Sequence, residues 1–406
     1  MDGSAAVVVG AGHAGLAVSR LLVERGIDHV VLERRRVAER WRSERWDSFT
    51  LLTPNWASWL PGWRYDGDQP NGFMLRDDVV SYLERYARSF GAPVREGVEV
   101  QALEQADGGG YLLRTGDGEL RASTVVVATG PFQVPRLPPW SSGLPPEVVQ
   151  VHSSTYRGPA GLPDGAVVVV GTGASGQQIV EDLLRGGRRV YLCVGRSIAV
   201  PRRYRGRDFI WWQEHAGFYE RTVEDVPVDQ RRHGVSPALT GFGGGHDLDL
   251  RELHSQGVTL LGRALGTERG RLLLGTGLAE SLAAGDGGYA QFVDWVEARI
   301  HRFGIPFEDP EPRRRFPEPP EPPLELDLHA AGVTAVVWAT GFRPDYASWV
   351  RLPVLDADGH PQQVRGATAC PGVYFIGRNW LYRSRSPFIR GAEEDARHIV
   401  SLIAGP

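Results

Sequence analysis

Two copies of one glycine-rich pattern constrain this sequence more than any other feature. The first reads Gly10-Ala11-Gly12-His13-Ala14-Gly15, and the second, 161 residues further on, reads Gly171-Thr172-Gly173-Ala174-Ser175-Gly176. Each follows an all-apolar run, residues 6–9 and 167–170, and each leads into a helical pattern. A strand, a GxGxxG turn and a helix in this order indicate a dinucleotide-binding unit.

In such a unit the first glycine makes a tight turn, the second lets a pyrophosphate approach the backbone, and the third lets the helix pack on the strand. The helix N-terminus presents amide groups to the phosphates. The repeat therefore predicts an α/β fold with two Rossmann-like domains and two bound dinucleotides. The expected cofactor contacts are Gly10, Gly12, His13, Ala14 and Gly15 in the first copy, and Gly171, Gly173, Ala174, Ser175 and Gly176 in the second.

The two copies differ where the ribose beside adenine is recognised. The second strand of the first copy ends at Glu33, followed by Arg34, and a carboxylate there accepts hydrogen bonds from the ribose hydroxyls of FAD or NAD. The second copy has no acid at this point, but Arg196 and Arg202 follow the strand. Cations favour a 2′-phosphate, which indicates NADPH. The alternative is that Glu33 and Arg196 are solvated strand ends.

Composition excludes several classes of function. The net charge of −4 offers no general attraction to nucleic acid. All 45 basic residues are Arg, which excludes a Schiff-base or Walker lysine. The two cysteines, Cys193 and Cys370, form no CxxC pair, so a thioredoxin-reductase type of reaction is excluded. No metal-ligand spacing and no membrane-length apolar run occur, and we expect a cytoplasmic protein.

Several motifs together resemble the class B flavoprotein monooxygenases, which include flavin-containing, N-hydroxylating and Baeyer–Villiger enzymes. Besides the two glycine loops, they are Ala128-Thr129-Gly130, Ala339-Thr340-Gly341-Phe342-Arg343-Pro344 and an apolar strand ending at Gly377. The resemblance implies FAD in the first unit, NADPH in the second and O₂ as co-substrate. It also implies oxygenation of a nitrogen, sulfur or carbonyl centre through a C4a-(hydro)peroxyflavin. Thr129, Gly130, Ala339, Thr340, Gly341 and Gly377 become cofactor contacts by the same resemblance.

The family fingerprint between the two nucleotide units is kept only in its second half, His152-Ser153-Ser154-Thr155-Tyr156-Arg157. Pro146 and Val148 stand where the family has Phe and Gly. Tyr156, in place of Trp, favours the heteroatom-oxygenating branch. For His152 a hydrogen-bonded hinge role is preferred over a catalytic one.

The resemblance also suggests an asparagine near the flavin, and the local candidate is Asn55, which follows Pro54. A turn-forming Pro-Asn is the alternative interpretation. Trp41 and Trp46, in the aromatic segment before it, are expected near the flavin.

By this resemblance the FAD-binding domain comprises residues 1–160 and 324–406. The NADPH-binding domain, residues 161–323, is inserted between its two parts and carries a partly helical insertion at about 205–323. Helices are expected at 14–25, 76–90, 248–256, 289–303 and 391–404, strands at 334–338 and 371–377, and a stiff proline-rich connector at 309–323.

Three functions remain open from the sequence. The first is the monooxygenase, with a small organic substrate and O₂ as its only partners. The second is a flavin reductase or dehydrogenase that transfers hydride without oxygenation. The third is a nucleotide-sensing flavoprotein with a regulatory role. The sequence leaves open whether the chain forms a homodimer.

Overall fold

The computed structural model describes residues 4–227, 231 and 237–405, and the fold is mixed α/β. The helices, from α1 to α8, are His13–Glu24, Glu39–Ser43, Arg76–Ser89, Ala174–Arg185, Phe209–His215, Leu250–Ser255, Leu278–Ile300 and Ala392–Ala404. The strands, from β1 to β23, are Ser4–Val9, His29–Glu33, Trp59–Leu60, Trp63–Arg64, Val94–Glu96, Val100–Gln105, Tyr111–Thr115, Gly118–Val127, Val134–Pro135, Val149–His152, Ala166–Val170, Val190–Cys193, Arg203–Tyr204, Arg207–Asp208, Leu239–Thr240, His246–Asp247, Thr259–Leu261, Ala264–Glu268, Arg271–Leu274, Glu325–Asp327, Val333–Trp338, Phe342–Arg343 and Val373–Phe375.

The first sheet has seven strands in the order β5-β2-β1-β8-β7-β6, with β23 beside the second half of β8. β5, β2, β1, β8 and β23 run parallel, whereas β7 and β6 form an antiparallel edge. β1 is central and apolar, and Ala6, Val7 and Val8 are fully buried. Such continuous apolar strands are typical of a parallel sheet that is covered on both faces.

The second sheet has five parallel strands in the order β10-β21-β11-β12-β17. Its central strand, β11, carries the second glycine loop at its carboxyl end, as β1 carries the first. β21 lies beside β11 in the position that β8 has beside β1. Each loop therefore sits at the carboxyl edge of a parallel sheet, where ligands bind in folds of this type.

The expected domain boundaries need correction. We expected β10 in the first domain and β21 in the part that begins at residue 324, but both strands belong to the second sheet. The second unit therefore extends from Val149 to Trp338. The insertion expected at about 205–323 is also interrupted, because Thr259–Leu261 pairs with β12 of that sheet.

The expected helices are present, with one difference in length. Helix α7 begins at Leu278 rather than near residue 289, so it includes Gly285, Gly287 and Gly288. A Cβ at Gly288 would lie 3.0 Å from Ile198 Cγ2, so glycine permits the close approach of this helix. The proline-rich stretch 309–323 has no helix or strand, as predicted, and Arg313 binds it to Asp249 and Asp286.

Within the described residues, no helix is both long enough and apolar enough to cross a membrane.

Candidate functional site

The first glycine loop has the geometry of a phosphate-binding turn. Gly10 has φ +109°, and a Cβ there would lie 2.8 Å from the carbonyl oxygen of Ala128. A Cβ on Gly15 would lie 2.0 Å from the carbonyl oxygen of Gly10, so the start of α1 packs directly on the turn. At Gly12, in contrast, no protein atom lies within 4 Å of the Cβ position. The loop is closed at its two ends and open at its centre, where a pyrophosphate has room.

The second glycine loop repeats this geometry. Gly171 has φ +112°, and its Cβ would lie 2.6 Å from the carbonyl oxygen of Ala339. A Cβ on Gly176 would lie 2.0 Å from the carbonyl oxygen of Gly171, and the Cβ position of Gly173 again has no atom within 4 Å. The structure therefore contains two equivalent cradles, each with an open central glycine.

The two Ala-Thr-Gly motifs occupy matching positions beside the two cradles. The amide of Ala128 donates to Val9 O and that of Ala339 donates to Val170 O, both at 2.9 Å. Gly130 and Gly341 end these motifs with φ of +70° and +81°. Thr129 Oγ1 accepts a hydrogen bond from Gln133, and Thr340 donates one to the carbonyl of Arg136. Ala339-Thr340-Gly341 thus belongs to the second cradle, not the first.

The residues expected to recognise ribose lie next to the cradles. Glu33 Oε2 accepts a hydrogen bond from the amide of Ala11 at 2.9 Å, and Oε1 accepts one from the amide of Arg35 at 3.1 Å. Arg34 beside it is exposed. In the second cradle Thr172 takes the place of Ala11, accepting from the amide of Gly195 and donating to the carbonyl of Arg196. A neutral hydroxyl thus replaces the carboxylate contact.

The arginines near the second cradle are not equivalent. Arg196 is exposed, and its guanidinium has no hydrogen-bond or ion-pair partner within the described part of the chain. Arg202, which we expected to share the 2′-phosphate, is 1% exposed and binds Asp208 at 2.8 Å and the carbonyl of Leu52 at 2.7 Å. Its guanidinium also stacks on Phe73. The assignment of Arg202 is therefore corrected: it joins the second unit to the aromatic segment before Asn55.

Asn55 starts a single turn of 3₁₀ helix and is 3% exposed. Its amide group donates to the carbonyl of Gln69 at 2.9 Å, whereas Oδ1 is buried and has no partner among the described residues. The hydrogen bond supports the turn role, and the unpaired acceptor leaves a group for a ligand. Both interpretations of Asn55 keep a structural basis.

The two tryptophans expected near the flavin have different surroundings. Trp41 is half-buried against Phe49 and Arg45. Trp46 is 3% exposed and belongs to the core beneath the second sheet, with Tyr156 as a neighbour. Its ring is packed in this core, and its proximity to the flavin stays a prediction.

His152, the last residue of β10, forms a hydrogen bond with the second Ala-Thr-Gly motif. Its Nδ1 accepts from the amide of Ser154, so Nε2 donates to the carbonyl of Gly341 at 3.0 Å. Its ring packs on Phe342, and burial lowers its pKa. A neutral imidazole with both ring nitrogens hydrogen-bonded agrees with a structural role, and the hinge between domains stays a prediction.

Two buried polar groups lie at the first cradle: His13, which the sequence pattern named as a cofactor contact, and Arg378, which it did not. Gly377 lies against Ala14, with its Cβ position 3.0 Å from that of Ala14, so the end of β23 reaches the cradle. Arg378 follows it, stacks on Tyr346, and has a buried Nη1 without a partner in the described ranges. His13 Nε2 is equally unpaired, and burial lowers the pKa of His13 to about 4. Unpaired buried groups of this kind fit a bound polar ligand.

The cysteines are free and lie far apart in the fold, one in a strand of the second sheet and one in a loop beside the first. Cys193 is buried in β12, where burial raises its pKa to about 12, and Cys370 precedes β23. A search of the described residues finds no group of three or more His, Cys, Asp or Glu side chains placed to hold a metal ion.

Comparison with known sequences identifies relatives along the whole chain. The family model described as pyridine nucleotide-disulphide oxidoreductase matches residues 7–204. An uncharacterized CzcO-like oxidoreductase of Geobacillus kaustophilus is 32% identical over 98% of this chain and 97% of its own. Indole-3-pyruvate monooxygenase YUCCA1 of Oryza sativa is 34% identical, over 48% of each chain.

Solved structures share the fold at lower identity. A flavin-containing monooxygenase from Stenotrophomonas maltophilia matches with TM-score 0.66 and 20% identity, over 99% of this chain and 98% of its own. Ornithine N-hydroxylase of Kutzneria sp. 744, in complex with reduced FAD, NADP⁺ and L-ornithine, gives 0.64 and 17%, over 99% of each chain. Bacillithiol disulfide reductase of Bacillus cereus gives 0.64 and 15% over the same share.

The full-length relative at 32% identity and the flavin monooxygenases among the matches agree with the motifs of the two cradles. This chain is an oxidoreductase of the class B flavoprotein monooxygenase family.

Proposed function

We propose that this enzyme is a monooxygenase that uses FAD, NADPH and O₂ to oxygenate a nitrogen, sulfur or carbonyl centre of a small organic molecule. One oxygen atom enters the substrate and the other leaves as water, while NADPH and a proton are consumed. The observation that carries the proposal is the pair of matching cradles, one with Glu33 and the other with Arg196 beside it. The YUCCA1 relative is named an indole-3-pyruvate monooxygenase, which supports the inclusion of carbonyl substrates.

FAD fits the first of two Rossmann-like domains, and the second domain is inserted in the first. The open position at Gly12 accommodates the pyrophosphate, and Glu33 lies where it can accept from ribose hydroxyls. Arg378 and His13 add unpaired buried donors at the same cradle. When bound, FAD supplies electron transfer from NADPH and the activation of O₂.

NADPH fits the second cradle. Gly173 leaves room for its pyrophosphate, and the exposed Arg196 offers an unpaired guanidinium to the 2′-phosphate. Thr172, bonded to Gly195, replaces the carboxylate that would repel that phosphate. Asn55, whose buried Oδ1 is unpaired, is the proposed polar contact at the reacting end.

The second candidate is hydride transfer to an electron acceptor without oxygenation. It is favoured by the shared fold of the bacillithiol disulfide reductase. The two cysteines of this chain do not support a dithiol version of that reaction, since Cys193 is buried in β12 whereas Cys370 lies in the loop before β23.

The test is incorporation of oxygen from ¹⁸O₂. The FAD-loaded enzyme is incubated with NADPH and ¹⁸O₂ together with methyl phenyl sulfide, N,N-dimethylaniline or phenylpyruvate. With a preferred substrate, we expect NADPH oxidation to match O₂ uptake. One ¹⁸O atom should enter the product for each NADPH consumed. NADPH oxidation that proceeds only with a quinone or disulfide acceptor, with no ¹⁸O in any product, would establish the second candidate.

A further inference from the structure

Arg390 lies where three distant parts of the chain meet at the first cradle. It directly precedes α8, and Ile389 and Ala392 share a core cluster with Ala14 of α1. The far ends of the two helices also meet, since Arg25 and Ala404 line one groove. The two helices therefore run parallel, and Arg390 lies at the end of α1 that carries the glycine loop.

The surroundings of Arg390 combine aromatic faces with unused donors. The guanidinium carbon lies 4.6 Å from the ring centre of Trp59 and 4.8 Å from that of Tyr219. The side chain is 1% exposed, and burial lowers its pKa to about 10, so it is charged at neutral pH. Nε and Nη1 have no hydrogen-bond partner among the described residues. A buried cation with unused N–H groups is costly unless something binds it.

Among the described residues, Arg390 has one ion-pair partner, Glu214, which also lies near a second arginine. The carboxylate of Glu214, at the end of α5, contacts Nη2 and is 22% exposed, so the pair opens to solvent on the Glu214 side. Glu214 Oε1 also lies 3.8 Å from Arg385 Nη1. A rotation of Glu214 toward Arg385 therefore frees Arg390 without leaving the Glu214 carboxylate unpaired. Phe388, 5.8 Å from Tyr219 between ring centres, extends the apolar wall.

We propose that Arg390 binds the carboxylate of an anionic substrate whose apolar body packs on Trp59 and Tyr219, with Glu214 as the group that the substrate displaces. A planar guanidinium donates two parallel hydrogen bonds to a carboxylate, through Nη2 together with either Nε or Nη1. Nε and Nη1 are unused, and displacement of Glu214 frees Nη2 to complete the pair. Trp59 follows the Asn55 turn directly, which connects this site with the proposed oxygenation site. That the bound acid is the substrate of the enzyme rests on the proposed function, whereas binding of a carboxylate by Arg390 does not.

The experiment is calorimetric binding to the oxidised, FAD-loaded protein without NADPH. The probes are benzoate and phenylacetate, each compared with its uncharged amide. We expect at least one acid to bind and its amide to bind at least tenfold more weakly. Arg390→Met should weaken binding of the acid at least tenfold, whereas Glu214→Gln should strengthen it, because a competing carboxylate is removed. Arg397→Met, an exposed arginine of α8, is the matched control and should have no effect.

If the Arg390–Glu214 ion pair is purely structural, Glu214→Gln should not strengthen acid binding. In that case Arg390→Met and Glu214→Gln should both lower the melting temperature, and neither should alter acid binding selectively. That result would overturn the proposal. Equal binding of acid and amide would also overturn it, as would a failure of both acids to bind. Weaker NADP⁺ binding by Arg390→Met with unchanged acid binding would also overturn it, by assigning the arginine to the coenzyme. The ¹⁸O test has a separate readout, so either proposal can fail alone.

Discussion

Single side chains distinguish the two cradles, although their backbones are alike. Both central glycines are open, so backbone geometry alone does not separate FAD from NADPH. The separation comes from Glu33 in one cradle and Arg196 in the other. Arg203, close to Arg196 in sequence, donates to the carbonyls of Gly244 and Gly245 and is not available to a phosphate. We therefore predict that coenzyme choice depends on the guanidinium of Arg196.

Replacing Arg196 with Ala should change coenzyme preference without affecting the fold. Loss of a charged hydrogen bond of about 1.5 to 3 kcal/mol should raise the Michaelis constant for NADPH by roughly 10- to 150-fold. The Michaelis constant for NADH should stay nearly unchanged, because NADH has no 2′-phosphate. Steady-state kinetics with both coenzymes measure this. Equal losses for NADPH and NADH would make Arg196 a structural residue, as would a wild type that prefers NADH.

Asn55 has a distinct test because its buried Oδ1 is unpaired while its amide group holds Gln69. Asn55→Ala should leave FAD content and anaerobic reduction by NADPH close to normal. It should raise the hydrogen peroxide released per NADPH, since loss of one placed polar contact costs about 1 to 3 kcal/mol at the reacting centre. A peroxide assay against the wild type gives the ratio. An unchanged ratio and turnover would leave Asn55 as a turn residue.

The glycine loops, taken as elements, explain why part of the structure could be predicted and part could not. The strand-turn-helix units are local, so their positions and the starts of α1 and α4 followed from the sequence. The neighbour of β11 was not predictable in this way, because β21 joins it from more than 160 residues away. Helix α7 was placed too late because glycine is a poor helix former, whereas here it permits contact with Ile198.

Paired substitutions in the two loops should separate the cofactors. Gly12 and Gly173 have φ of −79° and −66°, which any residue adopts, and their Cβ positions are free of protein atoms. Gly12→Val should therefore fold but purify without FAD, because the side chain fills the pyrophosphate position. Gly173→Val should keep FAD but not be reduced by NADPH. Flavin absorbance and anaerobic titration distinguish the two.

A control for this pair comes from the third glycines. A Cβ on Gly15 or Gly176 would lie 2.0 Å from a backbone oxygen of its own loop, so alanine there should destabilise the protein itself. If Gly12→Val kept full flavin, or if both valine variants lost the same cofactor, the assignment of one dinucleotide to each loop would be wrong.

Across the whole molecule, the site residues that the sequence missed are those held by distant segments. Arg202 appeared to serve the coenzyme because it follows Arg196, but Asp208 and Leu52 bury it between two units. Arg390 gave no signal, since its neighbours Trp59, Glu214 and Tyr219 come from separate parts of the chain. The spacing of residues in the sequence predicts the two cradles, whereas the surfaces between units depend on tertiary packing.

One buried acid in the closing helix makes the stability of the molecule depend on pH. Asp395 is 5% exposed in the first turn of α8, with Ser386 as hydrogen-bond partner and Glu394, Arg365 and Arg385 as its charged neighbours. Burial raises its pKa to about 7. The folded state therefore holds a proton that the unfolded state releases near pH 4. The contribution of Asp395 to stability is full below about pH 4 and is lost as pH rises to about 7.

Replacing Asp395 with Asn should remove this dependence. The amide cannot ionise, so the variant should be more stable than the wild type at pH 8 and should lose less stability between pH 5 and pH 8. The difference is at most about 4 kcal/mol, from a pKa shift of about three units at 1.36 kcal/mol each. Urea unfolding at pH 5, 6.5 and 8 measures it at equal flavin content. Glu393→Gln, two residues earlier and paired with Arg397 on the surface, is the control and should keep the wild-type slope. Parallel pH profiles for the wild type and Asp395→Asn would mean that Asp395 ionises near its ordinary pKa, with Arg365 and Arg385 offsetting its burial.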